Sequence, residues 1–318
     1  MNNQCRSCKE TLSNSTINIK DNMRLILISL ISFVFSIYVY SQGCSDAGLC
    51  TISGLDSGFD ETEMKSTFKY STIFGLGEQN VFHISTQLEA SIPTIKSQVI
   101  QVKIPYNFTF GNLGNISGLG DLSISLNQKI FSNQNTRLNL VAGIKIPSND
   151  ANKTLDGFPL PMAYQTSLGT YDMILGLSTI YKKWHFGFGY QHSFGHNLNE
   201  FEYRYDNPSD FNNYNESYHL QRADDIMLRI ERQLLIGNAN YMFSVLPIYH
   251  LGDDKIKNGQ DVRNSSGLTL NLVAKSEFTI TNDWKMGFTL AAPIIDKEVR
   301  PDGLTRSFVA VISFARHF

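Results

Sequence analysis

Two adjacent residues of this 318-residue chain, His192 and Ser193, are of types that support nucleophilic catalysis. A serine hydrolase needs its histidine within hydrogen-bonding reach of the serine hydroxyl. Neighbouring side chains of an extended strand point to opposite faces, so this pair cannot readily form that contact. We interpret His192 as an outward-facing interfacial side chain and predict no catalytic residue. A hydrolase is the least favoured alternative.

The four cysteines give only weak signals for a metal or redox site. Cys5 and Cys8 form a single C-x-x-C spacing inside a leader that we expect to be removed. Cys44 and Cys50 remain in the mature chain, where an oxidising periplasm favours a small disulfide loop over a metal site. Lipid modification of Cys44 is the other alternative, although the residues before it fit a lipoprotein signal poorly. No phosphate loop, zinc spacing or calcium loop occurs, so we predict no cofactor and no metal.

Charged residues recur at alternate positions of otherwise apolar segments, where they would face the lumen of a membrane barrel. Unpaired charges are costly to bury, so they must pair across strands or contact water. The basic cluster Lys103, Lys129, Arg137 and Lys145 would favour anions, and a salt-bridged plug without transport is the equal alternative. The predicted lumen-lining residues are Lys69, His83, Gln87, Glu89, Lys103, Lys129, Arg137, Lys145, Asp172, Asp225, Arg229, Glu231, Lys275, Glu277 and Lys285.

The elements that would position these side chains are alternating segments of near ten residues, separated by Gly, Asn, Asp and Pro clusters. This pattern is typical of strands and turns. In one segment Leu268, Leu270 and Leu272 share a face, while Thr269 and Asn271 share the other. We predict about twelve strands, within a range of about ten to fourteen, forming an all-β transmembrane antiparallel β-barrel. Their predicted ranges are 66–76, 81–92, 98–109, 120–131, 136–147, 171–182, 184–194, 222–234, 239–249, 267–280, 284–294 and 304–318.

The connections between these strands alternate between short and long from the second strand onward. Outer-membrane barrels have short periplasmic turns, longer extracellular loops and aromatic girdles at both interfaces. Residues 202–218 are rich in Tyr, Asn and Asp, which suits either surface recognition or a lid over a pore. The predicted long loops are 111–119, 148–170, 195–221, 252–266 and 295–303.

Composition and charge fit a barrel and exclude other classes. A hydrophobic content of 42% and a mean hydropathy of −0.17 suit neither a helical membrane protein nor a disordered chain. The net charge of −2 gives no indication of a nucleic-acid partner. Met23-Arg24 opens a short apolar run typical of a secretory signal peptide. The predicted organisation is a start-site extension (1–22), a signal peptide (23–41), a periplasmic N-terminal segment (42–65) and one barrel domain (66–318).

The last strand resembles the C-terminal signal that barrel-assembly machinery recognises in Gram-negative outer-membrane proteins. That signal has a terminal Phe and apolar residues at every second position before it, matched here by Phe308, Ile312, Phe314 and Phe318. Arg316 departs from the pattern, because an apolar or aromatic residue is usual there. The resemblance implies the cell outer membrane as the location, with lipid and the assembly machinery as partners.

Gly118-Leu119-Gly120-Asp121-Leu122 is similar to the Gly-Leu-Gly-Asp element of the outer-membrane channel family associated with the meta-pathway of phenol degradation. Turn chemistry alone would also place Gly and Asp at a loop exit. The resemblance implies passive or gated passage of small molecules, including hydrophobic or aromatic compounds. It carries over no binding residue. A structural or adhesive protein that acts through long extracellular loops is the alternative function.

Overall fold

The computed structural model describes residues 65–94, 97–205, 208–257, 259–297, 299–303 and 306–318. The predicted extension, the signal peptide, all four cysteines and residues 42–64 lie outside these ranges. Within them, helix is limited to the 3-10 turns Glu78–Asn80, Met162–Tyr164 and Ser209–Asn213. No helix of this described part is long and apolar enough to cross a membrane.

Strands make up most of the described chain. Their order along the sequence is β1 Thr67–Gly77, β2 Phe82–Pro93, β3 Gln98–Gly111, β4 Gly114–Leu119, β5 Leu122–Ser132, β6 Thr136–Ile146, β7 Thr154–Leu155, β8 Phe158–Pro159, β9 Tyr171–Tyr181, β10 Trp184–Phe194, β11 Asp225–Ile236, β12 Ala239–His250, β13 Lys255–Ile256, β14 Gln260–Asp261, β15 Gly267–Thr279, β16 Trp284–Ile295 and β17 Arg306–His317.

These strands form a closed antiparallel barrel, in which β1 pairs with both β2 and β17. β4 and β5 pair with successive stretches of the same neighbour, β3, and so occupy one position in the barrel. The remaining two hairpins, β7–β8 and β13–β14, lie in the connections. The barrel therefore has twelve strands, and the predicted all-β fold is confirmed.

The outer face of the barrel is apolar because side chains alternate along every strand. On β10, Trp184, Phe186 and Phe188 are 39%, 40% and 44% exposed, whereas the intervening positions face inward and are buried. Comparable apolar side chains are exposed on the other barrel strands. An exposed apolar surface of this extent is stable against hydrocarbon rather than against water.

The two ends of the barrel carry different connections. One end, the short-turn end, has only turns of two to four residues within the described ranges, such as 133–135 and 182–183. The other, the loop end, carries the connections 147–170, 195–224, 251–266 and 296–305 together with two tight turns. The expected sorting of short and long connections is present.

One predicted loop is wrong. Residues 111–119 form the end of β3, a two-residue turn and the strand β4. Gly114 has a φ of 121°, which lets the chain reverse at once. The sequence Gly-Asn-Ile-Ser-Gly alternates too weakly to be distinguished from turn residues, which explains the error.

Inward side chains fill one half of the barrel and surround a cavity in the other half. On β6, β9, β11 and β12, the inward-facing Val141, Ile174, Met227, Met242 and Leu246 are at most 1% exposed. This packing closes most of that half of the lumen. Most of the cavity wall comes from β1 to β3, β5 and β15 to β17, and Lys145 of β6 and Arg229 of β11 complete it.

Candidate functional site

The candidate site is this internal cavity, which has a volume of about 290 Å³. Its walls are inward-facing side chains of the barrel, and Met162, Ala163 and residues 165–168 of the connection 147–170 also line it. We call residues 147–170 the inward loop. The volume is close to the lower end of the range, about 300 to 1,000 Å³, that is usual for small-molecule sites.

One wall of the cavity is charged. Lys69, Glu89 and Lys103 are directly opposite one another on β1, β2 and β3. The Nζ atoms of Lys103 and Lys69 lie 3.4 and 3.9 Å from Oε2 of Glu89. The other carboxylate oxygen, Oε1, accepts a hydrogen bond from the amide of Gln101. One carboxylate is therefore shared by two lysines. The row of Lys69, Glu89 and Lys103 thus has one more positive than negative charge.

Several predicted lumen-lining residues lie on this cavity and others do not. Lys145 Nζ is 3.6 Å from Asp121 Oδ2 and 3.7 Å from Asp172 Oδ2. Arg229 lines the cavity and lies 3.6 Å from Glu231, which is itself buried outside the lining. The predicted residues that line the cavity are Lys69, His83, Gln87, Glu89, Lys103, Lys145, Arg229 and Lys275. The predicted residues outside its lining are Lys129, Arg137, Asp172, Asp225, Glu231, Glu277 and Lys285.

An adjoining wall of the cavity is apolar, which the sequence did not predict. Val309, Ala291 and Val273 pair in one row across β17, β16 and β15, and Ile73 pairs with Val311 beside them. These five residues form one hydrophobic cluster facing the lumen, and we call it the apolar patch. Lumen faces of membrane barrels are normally polar. The sequence feature that indicates this apolar patch is the uninterrupted apolar run 308–312, which makes both faces of the strand apolar.

The inward loop closes the loop-end side of the cavity. Leu160 and Tyr164 are completely buried in a cluster with Val81, Phe201 and Tyr214, to which two loop-end connections and the barrel rim contribute. This apolar packing holds the loop inside the barrel rather than above it. The predicted loop 148–170 is therefore part of the lumen wall.

A hydrogen-bonded clasp fixes the centre of the inward loop. The hydroxyls of Tyr164 and Tyr214 both donate to Oδ1 of Asn112, at 3.1 and 2.5 Å, and the backbone N–H of Leu113 donates to the Tyr164 hydroxyl at 3.1 Å. A side chain at Gly111 would collide with the Tyr164 hydroxyl. The β3–β4 turn, which lies in the predicted loop 111–119, thus provides the hydrogen-bonding groups that hold Tyr164 and Tyr214.

The Gly-Leu-Gly-Asp element anchors the other end of the inward loop. Oδ2 of Asp121 accepts a hydrogen bond from the backbone N–H of Leu168 at 3.1 Å. The amide of Asn107 donates to the carbonyl of Thr166 at 2.8 Å, and a Cβ at Gly120 would approach that amide nitrogen to 2.5 Å. Gly120 leaves room for the hydrogen bond from Asn107, and Asp121 accepts the hydrogen bond from Leu168. Both residues of this element therefore help to position the inward loop.

A buried ionic cluster ties the other loop-end connections to the barrel. Arg222 lies within 3.2 to 3.7 Å of the carboxylates of Asp172, Asp225 and Asp302. The ring nitrogens of His250 lie 2.6 and 2.8 Å from Asp225 and Asp254. Arg222 lies before the strand, since β11 begins at Asp225 rather than at residue 222 as predicted.

His192 and Ser193 have separate partners on opposite faces of β10. The hydroxyl of Ser193 donates to Thr170 Oγ1 at 3.0 Å inside the barrel. His192 Nδ1 lies 2.7 Å from Asp224 Oδ1 on the outside, where the Tyr190 hydroxyl donates to the same carboxylate at 2.6 Å. In the described part of the chain, no group of His, Cys, Asp and Glu is arranged to hold a metal ion.

Comparisons with known proteins reveal relatives in fold alone. No family model and no curated protein matches the sequence. The COG4313 outer membrane channel from Pseudomonas putida F1 has a TM-score of 0.58 and 13% identity over 80% of this chain and 94% of that one. The CymD monoaromatic hydrocarbon channel has a TM-score of 0.45 and 10% identity, covering 89% and 99% of the two chains. The first likeness confirms the predicted resemblance to outer-membrane channels at the level of the fold.

Proposed function

We propose that this chain is an outer-membrane channel for small molecules whose inward loop acts as a gate. The observation that carries the proposal is a closed twelve-strand barrel with an apolar outer face and a polar, charged cavity inside. An apolar outer face suits lipid, and a charged interior needs water or solutes. Such a barrel offers a hydrated route across a membrane.

Gating follows from how the inward loop is held. The loop is attached by hydrogen bonds to the rim and by packing against other connections, and it has no pairing with the main barrel sheet. Such contacts can be released without breaking the barrel, because moving loops are among the segments with the lowest free energy of local unfolding. Movement of residues 162–168 away from the cavity would open its loop-end side.

The alternative, a structural or adhesive protein acting through long loops, is less well supported. Phe211 and Tyr214 of the segment 202–218 are buried in the loop cluster, and the Tyr203 hydroxyl donates to the carbonyl of Tyr214 at 2.7 Å. These aromatic side chains stabilise the closed loops instead of facing a partner. The segment therefore supports a lid better than an adhesive surface.

An enzymatic role is also less well supported. The fold neighbour with a TM-score of 0.58 is an outer membrane channel. The hydroxyl of Ser193 donates a hydrogen bond inside the barrel and His192 faces outward, so His192 cannot act as the base for Ser193. Abolition of a lipase activity by Ser193→Ala would contradict this assignment.

Solute uptake into liposomes tests the proposed function. Liposomes containing refolded protein should swell in isotonic solutions of small solutes faster than protein-free liposomes. The solutes should include hydrophobic and aromatic compounds besides sugars, because the resemblance implies that class of substrate. Equal swelling rates with and without correctly folded protein would contradict a channel.

A further inference from the structure

The cavity combines two chemical properties that rarely occur together in a barrel lumen. Its apolar patch consists of Ile73, Val273, Ala291, Val309 and Val311, which face the lumen from four neighbouring positions of the barrel. No membrane contact accounts for these side chains, because they face inward. Val273, Ala291 and Val309 are only 6 to 8% exposed, and the surface that they leave accessible lines the cavity together with Ile73 and Val311. Contact of this remaining apolar surface with an apolar group is more favourable than contact with water.

Cations outnumber carboxylates around the same cavity. The lining holds five cations, and the carboxylates beside them are Glu89 and Asp121 of the lining together with Asp172 and Glu231 just outside it, 3.7 Å from Lys145 and 3.6 Å from Arg229, which leaves one positive charge in excess. The five cations are Lys69, Lys103, Lys145, Arg229 and Lys275. Several of these cations already contact a carboxylate, so the bias rests on the whole wall rather than on any isolated residue. A cavity of one sign concentrates solutes of the opposite sign.

The two properties lie within reach of one small molecule. Ile73 and Lys69 are on the same face of β1, four residues apart, which corresponds to about 13 Å between their Cα atoms. Val273 and Lys275 are two residues apart on β15, or about 7 Å. A compact ligand can therefore contact the apolar patch while its charged group approaches a lysine.

We propose that this cavity is a binding site for small organic anions with an apolar body, such as aromatic or short-chain monocarboxylates. The proposal rests on the proposed channel function and names the substrate class of that same cavity. A neutral hydrocarbon would leave the cationic wall unused, and a polar anion would leave the apolar patch in contact with water. Organic cations would be repelled by the excess positive charge.

Titration calorimetry on the full chain in lipid nanodiscs tests the proposal, with benzoate as the probe. Benzamide, which has nearly the same shape without the charge, and lactate, a small polar anion, serve as comparison ligands. Benzoate should bind about tenfold more tightly than either of them, because only benzoate uses both walls. Equal binding of benzoate and lactate, or of benzoate and benzamide, would overturn the proposal.

Two substitutions separate the contributions of the walls. Val273→Thr keeps the side-chain shape but replaces a methyl group, and should weaken benzoate binding about fourfold without weakening lactate binding. Lys103→Gln should weaken both carboxylates and leave benzamide unchanged, and Glu89 retains Lys69 at 3.9 Å in that variant. Val245→Thr makes the same change as Val273→Thr on the outer face of β12 and is the matched control.

The outcomes distinguish this proposal from the channel function. Benzoate binding that Val273→Thr leaves unchanged contradicts the proposed site even if the protein conducts ions. Benzoate binding that depends on Val273 and Lys103, in a protein without any conductance, supports the site and contradicts the channel function instead.

Discussion

Arg316 lies between two aromatic rings at the short-turn end of the barrel. Its guanidinium carbon is 4.7 Å from the ring centroid of Phe318 and 5.6 Å from that of Trp284. Arginine stacks on aromatic faces and keeps its charge in the interfacial region. This contact gives a physical reason for the residue that departs from the predicted assembly signal.

The outward Phe residues of β17 are predicted to act in assembly. Phe308, Phe314 and Phe318 are exposed on the outer face, and Ile312 lies in the same row. Replacement of Phe318 by Ser should lower the fraction of protein inserted in the outer membrane, measured by heat-modifiable migration on a detergent gel. Phe243→Ser, a similarly exposed position on β12, is the control. Normal insertion of the Phe318 variant would contradict an assembly role.

Asp121 is expected to control how firmly the inward loop is held. Asp121→Ala removes the acceptor for the buried N–H of Leu168, which costs about 1 to 3 kcal/mol when the donor stays buried. We expect faster proteolysis within residues 150–168, measured on folded protein in liposomes. Asp261→Ala, at an exposed position of β14, should leave the rate unchanged. Equal rates for both variants would contradict the anchoring role.

The clasp between connections is a property of elements rather than of single residues. Tyr164 comes from the inward loop, Tyr214 from the connection 195–224 and Asn112 from the β3–β4 turn. Tyr164→Phe keeps the apolar packing and removes the hydroxyl that joins them. The Tyr164 hydroxyl donates to Asn112 and accepts from Leu113. At about 1 kcal/mol for each of these two net hydrogen bonds, the opening equilibrium should rise about thirtyfold.

Single-channel recording measures that equilibrium as the fraction of time spent open. The matched control is Tyr205→Phe, because the Tyr205 side chain is fully exposed and its hydroxyl is available to water. An unchanged open fraction in Tyr164→Phe would show that the clasp does not restrain the loop.

The loop-end elements should also respond to pH through Glu78. Burial, followed by the nearby charge of Asp302, raises the pKa of Glu78 to about 7, while Arg300 opposes this rise. The amide of Asn215 donates to the Glu78 carboxyl at 3.3 Å. Because the folded pKa exceeds the unfolded value of 4.5, this contribution to packing is complete below about pH 4.5 and is lost as the pH rises through 7.

Hydrogen exchange of residues 208–217 and 299–303 tests this dependence. Protection should decrease between about pH 5 and pH 8, with most of the decrease below pH 7, after correction for intrinsic exchange, and Glu78→Gln should remove most of it. The same fall in protection in both proteins would exclude Glu78 as its source.

The sequence predicted most barrel strands because their side chains alternate regularly, as on β10 and β15. It did not predict β4, whose glycines and short polar residues alternate weakly. Nor could it show that Leu160 and Tyr164 fold into the lumen, because loop packing depends on contacts between distant segments. The charged residues Lys103 and Lys145 lie on the cavity, whereas Lys129 and Arg137 of the same predicted cluster do not.

At the scale of the whole molecule, the lumen is asymmetric. Packed side chains such as Met227 and Leu246 fill one half, and the cavity occupies the other. A barrel of twelve strands lies between the eight-strand barrels filled by side chains and the porins of about sixteen strands with an open channel. The lumen is therefore closed by packed side chains in one half and by the inward loop over the cavity in the other.

Single-channel conductance in planar lipid bilayers tests the central claim most directly. Full-length protein should be compared with a variant in which residues 152–167 of the inward loop are replaced by a short Gly-Ser linker. We predict discrete conductance steps for the full-length protein, and longer and larger openings for the variant. Absence of conductance from both proteins, when both show the heat-modifiable migration of a folded barrel, would contradict a gated channel.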